Sequence, residues 1–145
     1  KNIKINIVTD NFDSNLLNED INKKISIKNF QTNKSQITNI YKKTDILINT
    51  SIYEGFPNVI AEAINYSCLI IASKSYGGYI DLIKNNSFGI SYKPKDYISL
   101  SKKIEYAINN LNKLRTLKKL AKKNLNKIKL QNDNYIKFFK KKNII

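Results

Sequence analysis

The sequence predicts an α/β fold, a parallel sheet flanked by helices and completed by a helical, basic C-terminal tail. Three observations carry the prediction. Short apolar runs alternate with segments whose apolar residues recur at helical spacing, the pattern of successive βαβ units. In the middle of the chain the apolar run Ile46-Leu47-Ile48 enters a turn read as S-I-Y-E-G-F-P-N, and an apolar helical run, Val59 to Ile64, leaves it. From Tyr97 onward only helical periodicity remains.

The elements follow in order. Ile3, Ile5, Ile7 and Val8 alternate as a strand does and stop at the turn-formers Thr9-Asp10-Asn11. Leu16, Leu17 and Ile21 place a helix within residues 15–24, and Ile25, Ile27 and Phe30 mark a second strand. Ile37, Ile40 and Tyr41 form the apolar side of a short helix before the strand of residues 45–49. Pro57 prevents the central helix from starting earlier, and Asn58 is the expected N-cap. A strand over Leu69–Ser73, a helical turn over 79–84 and a strand near 89–92 come next. In the tail Leu111, Leu114, Leu117, Ala121, Leu125 and Ile128 form one stripe with lysines opposite. Breaks are expected near Asn109-Asn110 and at residues 131–134, before a last segment, 135–142, that is aromatic on one side and basic on the other.

A chain of 145 residues fits one domain, able to bury about 68–70% of its unfolded surface. With 41% hydrophobic and 26% charged residues it is a globular composition, and the abundance of Lys, Asn and Ile reads first as A/T-rich coding. The net charge of +15 is uneven. Residues 1–100 hold 12 basic and 9 acidic side chains, whereas residues 101–145 hold 14 and 2, so the charge belongs to the tail. Cys68 is the single cysteine and sits beside Leu69-Ile70-Ile71, which makes it a small core residue with no internal disulfide. No run approaches the roughly 20 apolar residues of a membrane span, and no signal-peptide core is present, so a cytoplasmic location is expected, with the inner membrane face as a place of peripheral attachment. The start at Lys1-Asn2 without Met is expected either from a piece of a longer protein or from Met removal.

The turn holds the chemistry. Gly55 lets backbone approach a ligand because it lacks a Cβ, and a helix N-terminus offers free N–H groups and a positive dipole end to phosphate. Glu54 and Glu62 bracket that anion site, and a carboxylate is better matched to a hydroxyl than to a phosphate. Phosphate together with hydroxyls describes a sugar nucleotide. The plainer readings are a solvated turn acid at Glu54 and a dipole-favoured helix acid at Glu62.

With seven residues between them in E-G-F-P-N-V-I-A-E-A, Glu54 and Glu62 resemble the E-x7-E motif of retaining glycosyltransferases of the GT-B fold, especially glycosyltransferase family 4; I-I-A-S at 70–73, Gly77-Gly78 and Phe88-Gly89-Ile90 extend the likeness. The resemblance covers most of the C-terminal, donor-binding domain, one half of a GT-B enzyme. It implies a Rossmann-like nucleotide-sugar-binding domain over 1–110, incomplete at its N-terminus, with the basic helices of 111–145 packing on it. Glu62 is then expected to accept both ribose hydroxyls, and Glu54 to face the transferred sugar as the catalytic candidate. Ser51, Gly55, Phe56, Pro57, Asn58 and Val59 are expected around the donor, Gly77 and Gly78 near sugar and diphosphate, and Phe30 near the base. A plain turn remains the alternative for the glycine pair.

The sequence also departs from the family. Asn29 replaces the usual glycine before Phe30, Thr9 and Asn11 stand where glycines follow the first strand, Ser67 and Leu69 replace Gly and Pro, and Asp81 replaces Glu. The family's phosphate-binding Arg and Lys have no counterpart, and neither does the N-terminal acceptor domain. The implied function is a donor-binding domain for a UDP- or GDP-linked sugar, serving retaining transfer to a glycan or lipid-linked acceptor in bacterial surface polysaccharide synthesis. The chain alone is expected to be inactive. No cofactor or metal is expected, since the sequence has no His and no tight acidic cluster. The alternative is a non-catalytic nucleotide- or partner-binding module derived from such an enzyme. For the basic tail the readings rank as solvated packing helices, an anionic membrane surface, and last nucleic acid.

Overall fold

A computed structural model describes residues 3–8, 25–28, 33–74, 76–77, 79–84 and 86–141; at 28, 34, 54, 76, 77, 134–136 and 138–140 it describes the backbone alone. The helix expected within 15–24 and the turn at 9–11 lie outside these residues. The chain forms two compact units, Lys1–Ile40 and Tyr41–Ile145.

In the first unit β1 (Ile5–Val8) pairs in parallel with β2 (Ile25–Lys28), with Ile5 opposite Ile25 and Ile7 opposite Ile27. Helix α1 (Lys34–Lys42) starts behind Asn33, whose Oδ1 accepts the Ser35 N–H at 3.0 Å and whose carbonyl accepts the Gln36 N–H. That is an N-cap of the ordinary Asn type. The last turn of α1, with Tyr41, belongs to the second unit.

The second unit is built on three parallel strands in the order β3 (Ile46–Asn49), β5 (Leu69–Ser73), β7 (Ile90–Tyr92). All five residues of β5 are buried, as a central strand covered on both faces requires. The pleat sends Leu69 and Ile71 to one side, where they meet Ile90, Tyr92, Ala107 and Leu114. This side is covered by α4 (Tyr97–Asn110) and the start of α5 (Arg115–Lys141). Helix α2 (Asn58–Asn65) packs on β3 and β5 and buries Ile60, Ala61, Ala63 and Ile64. Helix α3 (Tyr79–Ile83) buries Tyr79, Leu82 and Ile83. An added Cβ at Gly89 would stand 3.0 Å from the Ile70 carbonyl oxygen and 3.0 Å from Ile83 Cδ1, so a side chain there would force its neighbours to give way.

Two short strands complete the unit. β4 (Tyr53–Glu54) and β6 (Tyr76–Gly77) pair in parallel, Tyr53 opposite Tyr76 and Glu54 opposite Gly77. Each is two residues long, too short for a period to be read in the sequence.

The tail follows its stripe. Leu114, Ala121 and Leu125 are buried, and α5 packs on α2, α3 and β5. Lys122 Nζ and Lys129 Nζ donate to the Asn65 carbonyl and Oδ1, both at 3.3 Å, and Asn124 Nδ2 donates to the Asp81 carbonyl at 2.7 Å. The expected break near Asn109-Asn110 is present, because α4 ends at Asn110. The break expected at 131–134 is not, since α5 continues to Lys141. Gln, Asn and Asp cost a helix at most about 0.7 kcal/mol each, and no Gly or Pro is there to interrupt it.

The end of α2 shows how a departure from the glycine pattern is accommodated. The Cys68 N–H reaches back to the Ala63 carbonyl and the Ser67 N–H to the Ile64 carbonyl, both at 3.0 Å, with Ser67 at φ 62°. This is the Schellman closure that glycine normally makes, carried here by a serine in the left-handed region.

Candidate functional site

The site is assembled at the carboxyl end of β3, where the chain turns through β4 into α2. Asn49 ends β3 in a buried position; its Oδ1 accepts the Ser51 N–H at 3.2 Å and its carbonyl accepts the Tyr92 hydroxyl at 3.5 Å. The strand end is thereby tied to the end of β7. Beyond it the turn opens to solvent, with Tyr53 75% and Phe56 44% exposed. An added Cβ at Gly55 meets nothing within 4 Å, so no packing contact demands glycine there, and the space above its backbone is open.

Pro57, not Asn58, is the N-cap of α2. Its carbonyl accepts the N–H groups of Ile60 and Ala61 at 3.0 and 3.1 Å, while Asn58 is already helical and donates its N–H to the Phe56 carbonyl at 2.9 Å. No side chain caps the helix. The expectation for Asn58 is corrected for a backbone reason. Pro57 sits at φ −77°, ψ 83°, so its own carbonyl already points down the helix and takes the half-in position that a capping side chain would need. Pro57 is also fully buried, which fixes the approach of the turn to the sheet.

Glu62 follows one turn into α2, exposed, with Oε2 accepting a hydrogen bond from the Tyr41 hydroxyl at 3.0 Å. Tyr41 is 7% exposed, stacks on Tyr66 with centroids 5.7 Å apart and planes 8° from parallel, and also lies 3.5 Å from the Val59 carbonyl. Burial, and then the hydrogen bond to Glu62, pushes the Tyr41 phenol well above its ordinary range, so the ring remains a donor. Nearby, Cys68 Sγ donates to the Thr44 carbonyl at 3.2 Å. Burial raises this thiol to about 11, in keeping with an inert core cysteine.

Of the expected site residues, 51–62 form one strand end, turn and helix start, and the β4–β6 ladder adds the backbone of Gly77 beside that of Glu54. Val59 is exposed at the helix start. Phe30, Gly78 and the Glu54 side chain lie outside what the structure describes. Three groups were not legible as site residues. Tyr41 and Asn49 join the site through long-range contacts, the Tyr41 hydroxyl to Glu62 and the Tyr92 hydroxyl to the Asn49 carbonyl, and Ser73, at the carboxyl end of β5, keeps its buried Oγ without a hydrogen-bond partner among the described residues. A cavity of about 790 Å³ lies elsewhere, lined by Asp96, Ser99, Lys102 and Tyr106 near the amino end of β7, and includes none of residues 51–62. Among the described residues no group of three or more His, Cys, Asp or Glu side chains could hold a metal ion.

A model of the glycosyl transferases group 1 matches residues 9–124. The chain belongs to that family. A Campylobacter jejuni relative, GalNAc-alpha-(1->4)-GalNAc-alpha-(1->3)-diNAcBac-PP-undecaprenol alpha-1,4-N-acetyl-D-galactosaminyltransferase, is 37% identical over 73 residues, 50% of this chain and 20% of that protein. Among solved structures, a glycosyltransferase from Rickettsia africae has a TM-score of 0.71 at 27% identity, over 84% of this chain and 33% of its own. The C-terminal domain of the group 1 glycosyltransferase LpcC from Francisella tularensis has 0.65 at 25% identity, over 74% and 55%. Anabaena HepE, solved with UDP and glucose, has 0.71 at 21% identity, over 86% and 36%, and speaks for the fold. The group 1 chain described here therefore spans a fifth of its curated relative and about a third to a half of these solved proteins. Its Rossmann-like arrangement of parallel strands and helices is that of the C-terminal, donor-binding half of a GT-B glycosyltransferase.

Proposed function

We propose that this group 1 chain binds the nucleotide-sugar donor of a retaining glycosyltransferase whose acceptor is a glycan or lipid-linked saccharide of a bacterial surface polymer. The observation that carries the reading is Glu62, exposed one turn into α2 and steadied by the buried Tyr41 hydroxyl at 3.0 Å, in the helix that follows a turn open above Gly55. A carboxylate so placed accepts the two ribose hydroxyls. The N–H of Val59 at the start of α2, beside that of Asn58 which is held by the Phe56 carbonyl, faces the diphosphate, and the helix end stabilises the charge that develops on it as the sugar leaves. Glu54, next to Gly77 in the β4–β6 ladder, is assigned to the sugar's hydroxyls and to the positive charge at the anomeric carbon. The donor is a UDP- or GDP-sugar held without a metal ion. HepE binds UDP and glucose, and the C. jejuni relative is named for an undecaprenol-linked acceptor; both support these classes.

Calorimetry with UDP, GDP and ADP tests the donor site. The chain is expected to bind UDP or GDP in the presence of a chelator, and Glu62→Ala to weaken binding by about 10- to 150-fold, the loss of a hydrogen-bonded charge of roughly 1.5–3 kcal/mol. Equal affinity in both proteins removes Glu62 from the site. Transfer is expected only when an acceptor domain is supplied, and turnover by this polypeptide alone contradicts the donor-half assignment.

A further inference from the structure

Helix α5 carries ten basic residues and one acid, Asp133, in 27 residues, and extends about 40 Å. Its apolar stripe is buried against the sheet and the two shorter helices, and Lys122 and Lys129 turn aside to Asn65. At 3.6 residues per turn the side opposite that stripe presents Lys119, Lys123, Lys127, Lys137 and Lys141, all exposed, in one row. In their midst stands Leu130, 63% exposed, with Leu120, 40% exposed, along the flank. Residues 1–100 carry a net charge of only +3, so the field of the chain is concentrated on this end.

We propose that this face of α5 docks on an anionic lipid bilayer. A straight row of cations complements a plane of negative headgroups, and each lysine at such a surface strengthens binding by about five-fold. The exposed leucines favour a bilayer over a nucleic acid. Hydrocarbon side chains among the cations gain from the headgroup–acyl boundary, whereas a phosphodiester backbone offers them nothing. The chain's one arginine, Arg115, supplies few of the planar forks that grip phosphates and base edges. No helix among the described residues is long and apolar enough to cross a membrane, so the attachment is peripheral and reversible by salt. The surface does not depend on the donor assignment: it holds or fails whether or not Glu62 binds ribose.

Co-sedimentation of the full chain with vesicles tests it. Binding is expected to vesicles of equal parts phosphatidylcholine and phosphatidylglycerol, not to phosphatidylcholine alone, and to fall as salt rises. Replacing Lys119, Lys123 and Lys127 together by Gln lowers the partition coefficient about a hundred-fold. The same change in charge at Lys42, Lys43 and Lys93, exposed but off the row, lowers it a few-fold at most. Leu130→Ser weakens vesicle binding and leaves retention by a DNA or RNA duplex unchanged, an independent check should the triple variant misfold. Equal losses in the two triples, no preference for the anionic vesicles, or tighter retention of the chain by a duplex at the same salt overturns the proposal.

Discussion

Helices α2 and α5 both pack on β5 and differ in how they hold charge. Four of the eight residues of α2 are buried, and its single ionisable side chain, Glu62, is steadied by one buried phenol. α5 has 27 residues, is buried along a narrow stripe, and carries its charge as a row of lysines set by helical repetition. The first arrangement fixes one carboxylate by a single hydrogen bond at one atom. The second spreads its charge over many exposed side chains, whose field falls off as ionic strength rises.

The largest effect separates stripe from row. Leu125→Ala deletes a 1% exposed side chain from α5 and is expected to cost about 2–5 kcal/mol in urea denaturation, while Lys123→Ala, two residues earlier, stays within about 0.5 kcal/mol. A similar cost for both would mean that the row, not the stripe, holds the helix. Gly89→Ala comes next, at about 1–3 kcal/mol, because the new Cβ meets a backbone carbonyl that cannot turn aside.

Tyr41→Phe sharpens the other side of the comparison. It removes one hydroxyl from Glu62 and is expected to weaken nucleotide binding by a few-fold, roughly 0.5–1.5 kcal/mol, with no added loss in a Glu62→Ala background. Additive losses would show that Tyr41 acts elsewhere. Ser67→Gly is expected to stabilise the chain by about 1 kcal/mol in thermal or urea melts, since glycine takes φ 62° without a Cβ penalty.

The smallest effect near neutrality is alkaline. The Cys68 thiol is raised from 9.0 to about 11 and the Tyr41 phenol is raised as well, so the unfolded chain releases these protons first. Their contribution to stability is complete below about pH 9 and is lost as pH rises through 11 and beyond. Melting temperature is expected to be flat from neutral pH to about pH 9 and then to fall, and Tyr41→Phe to make that fall shallower. An unchanged slope in the variant would place the titration elsewhere.

Much of the fold was legible because its signals are local. The continuous apolar run of β5 and the i, i+3, i+4 stripe of α5 can be read without a partner, and both became buried surfaces. The turn that was read between β3 and α2 is present, but the assignment of its cap was not secure. Whether Pro57 or Asn58 closes the helix depends on two backbone angles that either residue's propensity permits. The apparent break at 131–134 failed for a related reason: polar residues that favour turns still lie in a helix when neighbouring turns extend it cooperatively.

Composition and order by themselves determined the succession of strands and helices, the likeness carried by Glu54 to Glu62, and the concentration of positive charge beyond residue 100, because each is a property of neighbours in the chain. Tertiary structure alone decided that Tyr41 reaches Glu62 across 21 positions, that Glu54 lies beside Gly77, and that Gly89 packs tightly against the Ile70 carbonyl. Those pairings come from the register of parallel strands and the seating of helices on them, which bring together residues whose separation along the chain contains no trace of their meeting.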